Sequence, residues 1–356
     1  MSARRPRAAR ARAKRDVHNE VKTVNLALQG GGAHGAFAWG VLDRMIEDGR
    51  IAFEGISATS AGAMNAAVLA WGWTKGGRDG ARHALTEFWR DVSHTGMQYS
   101  PYRGLSWLSQ FGMQALDNSF TFALGEMWTR MFSPYELNPA NFNPLRSILD
   151  RHVDFAALRA GSAIKLFLCA TNVETCKVRI FEAADVTADA VLASACLPFL
   201  FQAVEIEGQY YWDGGYMGNP AIFPLIYDCD ARDVVIVHLN PVVREGCPRT
   251  AAQIMNRINE VSFNSSLMRE MRAIAFVTSL IERGKLSDRE FKKMLIHSIR
   301  CDEEMLHHGV ASKFNPDWGF LCHLRDKGRE YAEAWLAAHF ERIGRESSVD
   351  VRSEFL

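Results

Sequence analysis

An α/β sandwich with a helical extension at its C-terminal end is the architecture this sequence predicts, and three observations carry it. Thr23–Leu28 reads as a strand that runs into the glycine-rich loop Gly30–Gly35. An amphipathic stretch follows, with Phe37, Val41, Leu42, Met45 and Ile46 on one helical face. The run Val234-Val235-Ile236-Val237-His238-Leu239 is almost wholly apolar, as a strand covered on both faces must be. Strand signals also stop there, and from Ala251 the periodicity is helical. Strands alternating with helices, then helices alone, describe a mostly parallel sheet between helical layers.

Taken in order, the first helix ends at Gly49, a residue suited to the left-handed conformation that closes helices. The second strand runs into Ala58-Thr59-Ser60, and from Ser60 small residues alternate with Met64, Val68 and Leu69 at helical spacing. A further helix is expected within 73–93, ending near Phe88-Trp89-Arg90. Turn residues between Pro139 and Arg159 lead to strands at Lys165–Ala170 and Val178–Phe181. A helix from about Ala188 to Cys196 is stopped by Pro198. Val204-Glu205-Ile206, Glu207-Gly208 and Tyr210-Tyr211-Trp212 read as a hairpin that delivers Asp213-Gly214-Gly215 to a loop. Val234–Leu239 is the last strand expected. Helical stretches follow through Ile254, Ile258 and Val261, then Ile274, Val277 and Leu280, with a final helix near Tyr331–Phe340.

The chain's 356 residues carry 41 basic and 41 acidic side chains, and this balance hides an asymmetry. Arg4, Arg5, Arg7, Arg10, Arg12, Lys14 and Arg15 face no acid within residues 1–15, which leaves 34 basic against 41 acidic, a net of −7, in the remainder. Residues 1–20 are therefore expected to be a disordered basic tail, suited to peripheral contact with an anionic membrane. Without an apolar core this tail is not a secretory signal, and no run of about 18 apolar residues spans a membrane. Seven cysteines without C-x-x-C pairs argue for a reducing, cytoplasmic setting and against a zinc knuckle.

Between Thr95 and Pro134 only Arg103, Asp117, Glu126 and Arg130 are charged, while eight aromatic residues and four methionines crowd the same segment. Such a stretch is either core or an exposed apolar surface. An apolar insertion or lid over about 95–145, contacting acyl chains, is the expectation with functional content.

Candidate chemistry centres on Ser60. A serine at a strand-to-helix turn is presented at the top of a sheet, and the tight turn admits only small neighbours, as in G-x-S-x-G. Ala58-Thr59-Ser60-Ala61-Gly62 fits that frame with one glycine replaced; a helix N-cap is the competing reading. The loop Gly30-Gly31-Gly32-Ala33-His34-Gly35 lies between a strand and a helix start, where unpaired N–H groups converge on an anion. Gly30-x-Gly32-x-x-Gly35 also matches a dinucleotide fingerprint. That fingerprint needs an acid at the end of the second strand, and Glu54 is read as lying before that strand.

Read together, Gly30–Gly35, Ala58–Gly62 and Asp213-Gly214-Gly215 resemble, in this order, the three motifs of the patatin-like phospholipases, over roughly residues 22–240. The resemblance implies a three-layer α/β/α catalytic domain over 21–245, with a helical extension over 246–356 packed on the core. It implies a Ser60–Asp213 catalytic dyad and an oxyanion hole from Gly30, Gly31, Gly32, Ala33 and Ala61. His34, Gly35, Gly62, Gly214 and Gly215 support the motifs, and no metal or organic cofactor is implied. His34 stands where the family has Arg or Lys, and Ala58 where it has Gly. The activity implied is hydrolysis of lipid carboxyl esters, of phospholipase A or lysophospholipase type, on a lipid or lysophospholipid substrate. An intracellular polyester or an acyl thioester would suit the same dyad. A nucleotide-dependent oxidoreductase and a non-catalytic membrane-binding protein are the readings outside hydrolysis. Ser60, Asp213 and His238 also follow the chain order of a Ser–Asp–His triad.

Overall fold

Alternation along the central strands sends apolar side chains to both faces, and each face is covered by helices. The computed structural model describes residues 21–99, 132–287 and 290–356. Eight strands form one sheet: β1 Lys22–Leu28, β2 Ile51–Ala58, β3 Lys165–Asn172, β4 Val178–Glu182, β5 Val204–Ile206, β6 Gln209–Asp213, β7 Asp233–Val237 and β8 Leu295–Ile299. Their order is β5-β6-β3-β2-β1-β7-β8, with β4 paired to β3. The pairs β1/β2, β2/β3, β1/β7 and β7/β8 are parallel, whereas β3/β4, β3/β6 and β5/β6 are antiparallel.

The principal helices are α1 Gly35–Asp48, α2 Ala61–Tyr99, α3 Pro144–His152, α4 Phe155–Gly161, α5 Ala188–Ser194, α6 Phe223–Asp228, α7 Ala251–Glu282 and α8 Trp318–His339. Val24, Leu26, Leu28, Ile56, Ala58, Leu166, Leu168, Val235 and Val237 point to one face and pack with residues of α1 to α5 and α8. Ala27, Phe167, Val234, Ile236 and Ile296 point to the other face, against α6, α7 and Phe355. The result is the expected α/β/α sandwich, with a mixed central sheet.

Gly49 closes α1 at φ +80, and Glu207 and Gly208 turn the β5–β6 hairpin at φ +54 and +75. Four details differ from the sequence reading, the first being that α3 and α4 form where turn residues between Pro139 and Arg159 suggest a link. Leu295–Ile299 forms an eighth strand after Val237; a five-residue buried strand inside a helical stretch leaves too short a period to stand out. Glu54 lies within β2, not before it, and its carboxylate accepts from the Asp230 and Ala231 N–H groups, each at 2.7 Å, and from Lys165 at 2.9 Å. Helix α2 runs to Tyr99, broken at Gly76–Gly77. The basic tail 1–20 and residues 100–131 of the apolar segment lie outside the described residues. Among the described residues no helix is long and apolar enough to cross a membrane, and all seven cysteines are free.

Residues after 246 contribute a strand to the sheet and a long helix to each face. Helix α8 approaches α1 to backbone contact, because a Cβ on Gly40 would strike the Arg325 carbonyl and one on Gly328 the Phe37 carbonyl. Overpacking of this kind costs roughly 1–3 kcal/mol. Gly328→Ala should therefore be less stable in urea unfolding by about that amount, whereas Gly161→Ala, facing open space in a helix, should be no less stable than the parent protein.

Candidate active site

The site forms where three chain segments meet at the C-terminal ends of β1 and β2. Strand β2 ends at Ala58, whose side chain is packed in the core, so the position where an elbow more often has glycine holds a methyl group without strain. Ser60 then adopts φ +56, a left-handed conformation disfavoured for a residue with a Cβ. The turn is clamped from several sides. Ser60 N–H donates to Ser194 Oγ at 2.9 Å, Thr59 Oγ donates to the Gly218 carbonyl at 2.6 Å, and Gly62 N–H donates to Thr59 O at 2.8 Å. A Cβ on Gly62 would strike the carbonyls of Leu28 and Gln29, so α2 starts directly over the end of β1.

The glycine loop lies against this elbow. A Cβ on Gly30 would come within 2.6 Å of Ser60 Cβ, and one on Gly35 within 2.7 Å of Ala61 Cβ. Gly30 N–H is spent on Asn219 Oδ1 at 2.7 Å, so Gly30 takes part as a space rather than as a donor. The helical turn Gly32–His34 makes its bond from His34 N–H to Gly31 O at 3.2 Å. The N–H groups ahead of His34, those of Gly31, Gly32 and Ala33, have no place in that helical turn's bonding, and Ala61 N–H stands likewise at the start of α2.

Asp213 arrives from the hairpin. On the edge of β3 where β2 pairs through Leu168, β6 pairs through Ala170–Asn172, with Asp213 opposite Ala170. Strand β4 occupies the other edge of β3 at the same level. Strand β6 thus fills the edge that β2 vacates when the chain turns at Ser60, and this register brings the two side chains together. Asp213 is fully buried. Its Oδ1 accepts from Gly215 N–H at 2.7 Å, while Oδ2 has no hydrogen-bond partner. Burial pushes its carboxyl up to about 6, opposed by the Gly215 N–H, the neighbouring Ser60 hydroxyl and the charge of Lys313. Gly214 is required because a Cβ would strike the Cys169 carbonyl, and Gly215 because one would strike Phe263 of α7.

His34 points away from the elbow into a buried cluster, with Nε2 2.7 Å from Ser312 Oγ and its ring 5.6 Å from that of His308. Burial, the Lys313 charge and His308 hold its pKa well below the ordinary histidine value, so the loop's own side chain is neutral. His238 follows β7 on the face that carries Phe355, its ring 6.1 Å from the phenyl ring. Neither of its nitrogens has a hydrogen-bond partner, and burial pushes its pKa down to about 3. It therefore does not complete a triad with Asp213.

Several contributing residues carry no motif. Gln29 Oε1 accepts from the N–H groups of Leu239 at 2.9 Å and Asn240 at 3.1 Å, and Asn240 Nδ2 donates to Gly30 O at 2.9 Å. Asn219 is held in turn by Ser266 of α7, whose Oγ accepts the Asn219 N–H at 3.1 Å. Ser194 at the end of α5 and Lys313 belong with these. Isolated Asn, Ser and Lys residues give no spacing signal; buried polar residues at strand ends are the nearest clue. Among the described residues, no group of three or more His, Cys, Asp or Glu side chains could hold a metal ion.

An α/β/α fold with a serine on a strained elbow, a glycine loop against it and a buried aspartate alongside is an arrangement that fits the acyl-hydrolase class. The sequence model of the patatin-like phospholipases matches residues 26–226, more than half of the chain, and the chain belongs to that family. Comparison with curated protein sequences gives no match. Among solved structures, the chain is similar to VipD from Legionella pneumophila at 16% identity, covering 86% of this chain and 67% of that one with a TM-score of 0.35. It is also similar to a structure of SpcU in complex with ExoU from the type III secretion system of Pseudomonas aeruginosa, at 15% identity and a TM-score of 0.30. That match covers 90% of this chain and 54% of the other, so the chain spans about half its length.

Two stability tests follow from the site's geometry. Because Ser60 sits at positive φ, Ser60→Gly should be more stable to urea than Ser60→Ala by about 1 kcal/mol. Asp213 has a folded-state pKa raised from 3.8 to about 6, so its stabilising contribution is fully present below about pH 4 and is lost as pH rises through about 6. Asp213→Asn, neutral throughout, should therefore exceed the parent in stability at pH 8 by about 3 kcal/mol and show no such gain near pH 3.5.

Proposed function

We propose that this protein is a serine hydrolase of lipid carboxyl esters, of phospholipase A or lysophospholipase type, working through Ser60 and Asp213. The observation that carries the reading is the meeting of a serine strained at φ +56 with a buried aspartate whose Oδ2 is without a partner. Membership of the patatin-like phospholipase family supplies the lipid acyl class.

In the first step Asp213 Oδ2 takes the proton of Ser60 Oγ as that oxygen bonds to the ester carbonyl carbon. The resulting oxyanion is held by the N–H groups of Gly31, Gly32, Ala33 and Ala61, at the start of a helical turn and of α2, where helix dipoles favour negative charge. Collapse breaks the ester bond, and the proton passes from Asp213 to the leaving alcohol oxygen. Water then gives a proton to Asp213 and attacks the acyl carbon, and Ser60 recovers its proton as the acid departs. An aspartate raised to about 6 is a stronger base than an exposed one while still ionised at neutral pH. These steps call on no metal or organic cofactor. The basic tail is assigned to peripheral contact with anionic lipid, and seven cysteines without C-x-x-C pairs suit a cytoplasmic setting.

The dinucleotide reading loses its support, since Glu54 lies midway along β2 rather than at its end and is committed to the Asp230–Ala231 turn and Lys165. A fluorophosphonate should label Ser60 in the parent protein and leave Ser60→Ala unlabelled. Ser60→Ala and Asp213→Asn should each lose at least a thousandfold in hydrolysis of lysophosphatidylcholine, and His238→Ala should retain it. Full activity in either of the first two, or near-total loss in a folded His238→Ala, sinks the assignment. In the parent, kcat/KM should fall as pH drops through about 6, where Asp213 takes up a proton.

A further inference from the structure

The glycine loop lacks a charged side chain of its own, yet a cation reaches it from 279 positions further along the chain. Lys313 lies in a short helical turn, Val310–Phe314, well outside the residues matched by the family. Its backbone carbonyl rests against Gly32 where a Cβ would otherwise stand, which accounts for glycine at that position. Its Nζ donates to Asn240 Oδ1 at 2.8 Å, and the other end of the same amide donates to Gly30 O at 2.9 Å. The ammonium is 5.6 Å from the centre of the Phe263 ring, whose edge packs on Gly215. It therefore sits between the two loops that form the site.

The residue is only partly exposed, and burial lowers its pKa to about 8. Among the described residues no carboxylate forms an ion pair with it. Glu260 of α7 faces it, but that carboxylate is engaged with Arg244 at 2.6 Å and Arg257 at 3.0 Å. From β6 the Asp213 carboxylate acts on it, and from the loop His34, kept neutral, faces the same charge. The other titratable groups facing Asp213 are the Cys196 thiol and the Tyr216 phenol, both pushed upward and so uncharged at neutral pH. A half-buried cation without a bound counter-ion is costly unless a negative charge appears beside it.

We infer, on the basis of the Ser60–Asp213 reading, that Lys313 is a positioning residue for catalysis: its ammonium, bonded to Asn240 beside the glycine loop, favours the negative charge of Asp213 and of the anion that develops at that loop. The region after the family-matched residues thus completes the site electrostatically.

The test is the pH dependence of kcat/KM on a neutral ester, p-nitrophenyl butyrate, so that no charge on the substrate touches the lysine. In Lys313→Met the acid limb should move upward by at least half a pH unit, with activity at pH 6 falling at least threefold more than at pH 8. The parent's activity should decline as pH rises through about 8, where Lys313 loses its charge, and Lys313→Arg should keep the parent's acid limb and lose that decline. An unmoved acid limb in a folded Lys313→Met overturns the inference. If Lys313→Met does not fold, an alkaline limb in Lys313→Arg identical to the parent's overturns it instead. Absence of hydrolysis and of fluorophosphonate labelling in the parent protein would strike the underlying reading, not the role of Lys313 within it.

Discussion

The burial of the Asp213 carboxyl beside Ser60 is the constraint on which the rest of the structure depends. A buried carboxylate resists ionisation, and its single backbone partner, Gly215 N–H, leaves one oxygen open. Placing it there requires β6 to occupy the edge of β3 that β2 leaves at Ala58, which in turn requires the β5–β6 hairpin and its left-handed turn at Glu207–Gly208. The antiparallel corner of an otherwise parallel sheet is thus the means by which an aspartate from the middle of the chain is delivered to a serine near its start.

The strained serine is held because its neighbours leave it nowhere else to go. Gly30 and Gly62 are small where the loop and α2 pass over the ends of β1 and β2, and Ser194 and Thr59 anchor the backbone through hydrogen bonds. Asn65 of α2 donates to the Gly35 carbonyl at 2.9 Å and accepts from Trp89 at the same distance, tying the starts of α1 and α2 together. A disfavoured φ persists only where packing over-determines it. Here the small residues and the hydrogen bonds serve one geometry.

The long helix α7 links the sheet to the site, and the chain after residue 246 is part of the architecture rather than an appendage to it. Asn264 accepts from Gln29, Ser266 from Asn219, and Phe263 packs on Gly215. One turn of backbone therefore steadies the ends of β1 and β6 together. The Lys313 turn adds to the same place from another direction, so two separate stretches of the C-terminal region meet the loops of the N-terminal one.

Elements with strong periodicity were legible in the residues. Leu26, Leu28, Val235 and Val237 announced buried strands, Phe37 to Ile46 an amphipathic helix, and Glu207-Gly208 a hairpin turn, because each pattern reflects forces acting within a few residues. The turns at Ser60 and the glycine loop were legible for the same local reason, since tight turns and close backbone approaches restrict which side chains fit, whereas Asp213 stood out only through the resemblance of three motifs taken in order. Strand β8, the edge of β3 taken by β6, the spending of Gly30 N–H on Asn219, and the neutral His34 beside a charged Lys313 were decided only by tertiary structure. Each depends on groups up to 279 residues apart, whose distance and burial set hydrogen bonding and charge, and such distances leave no period in a sequence.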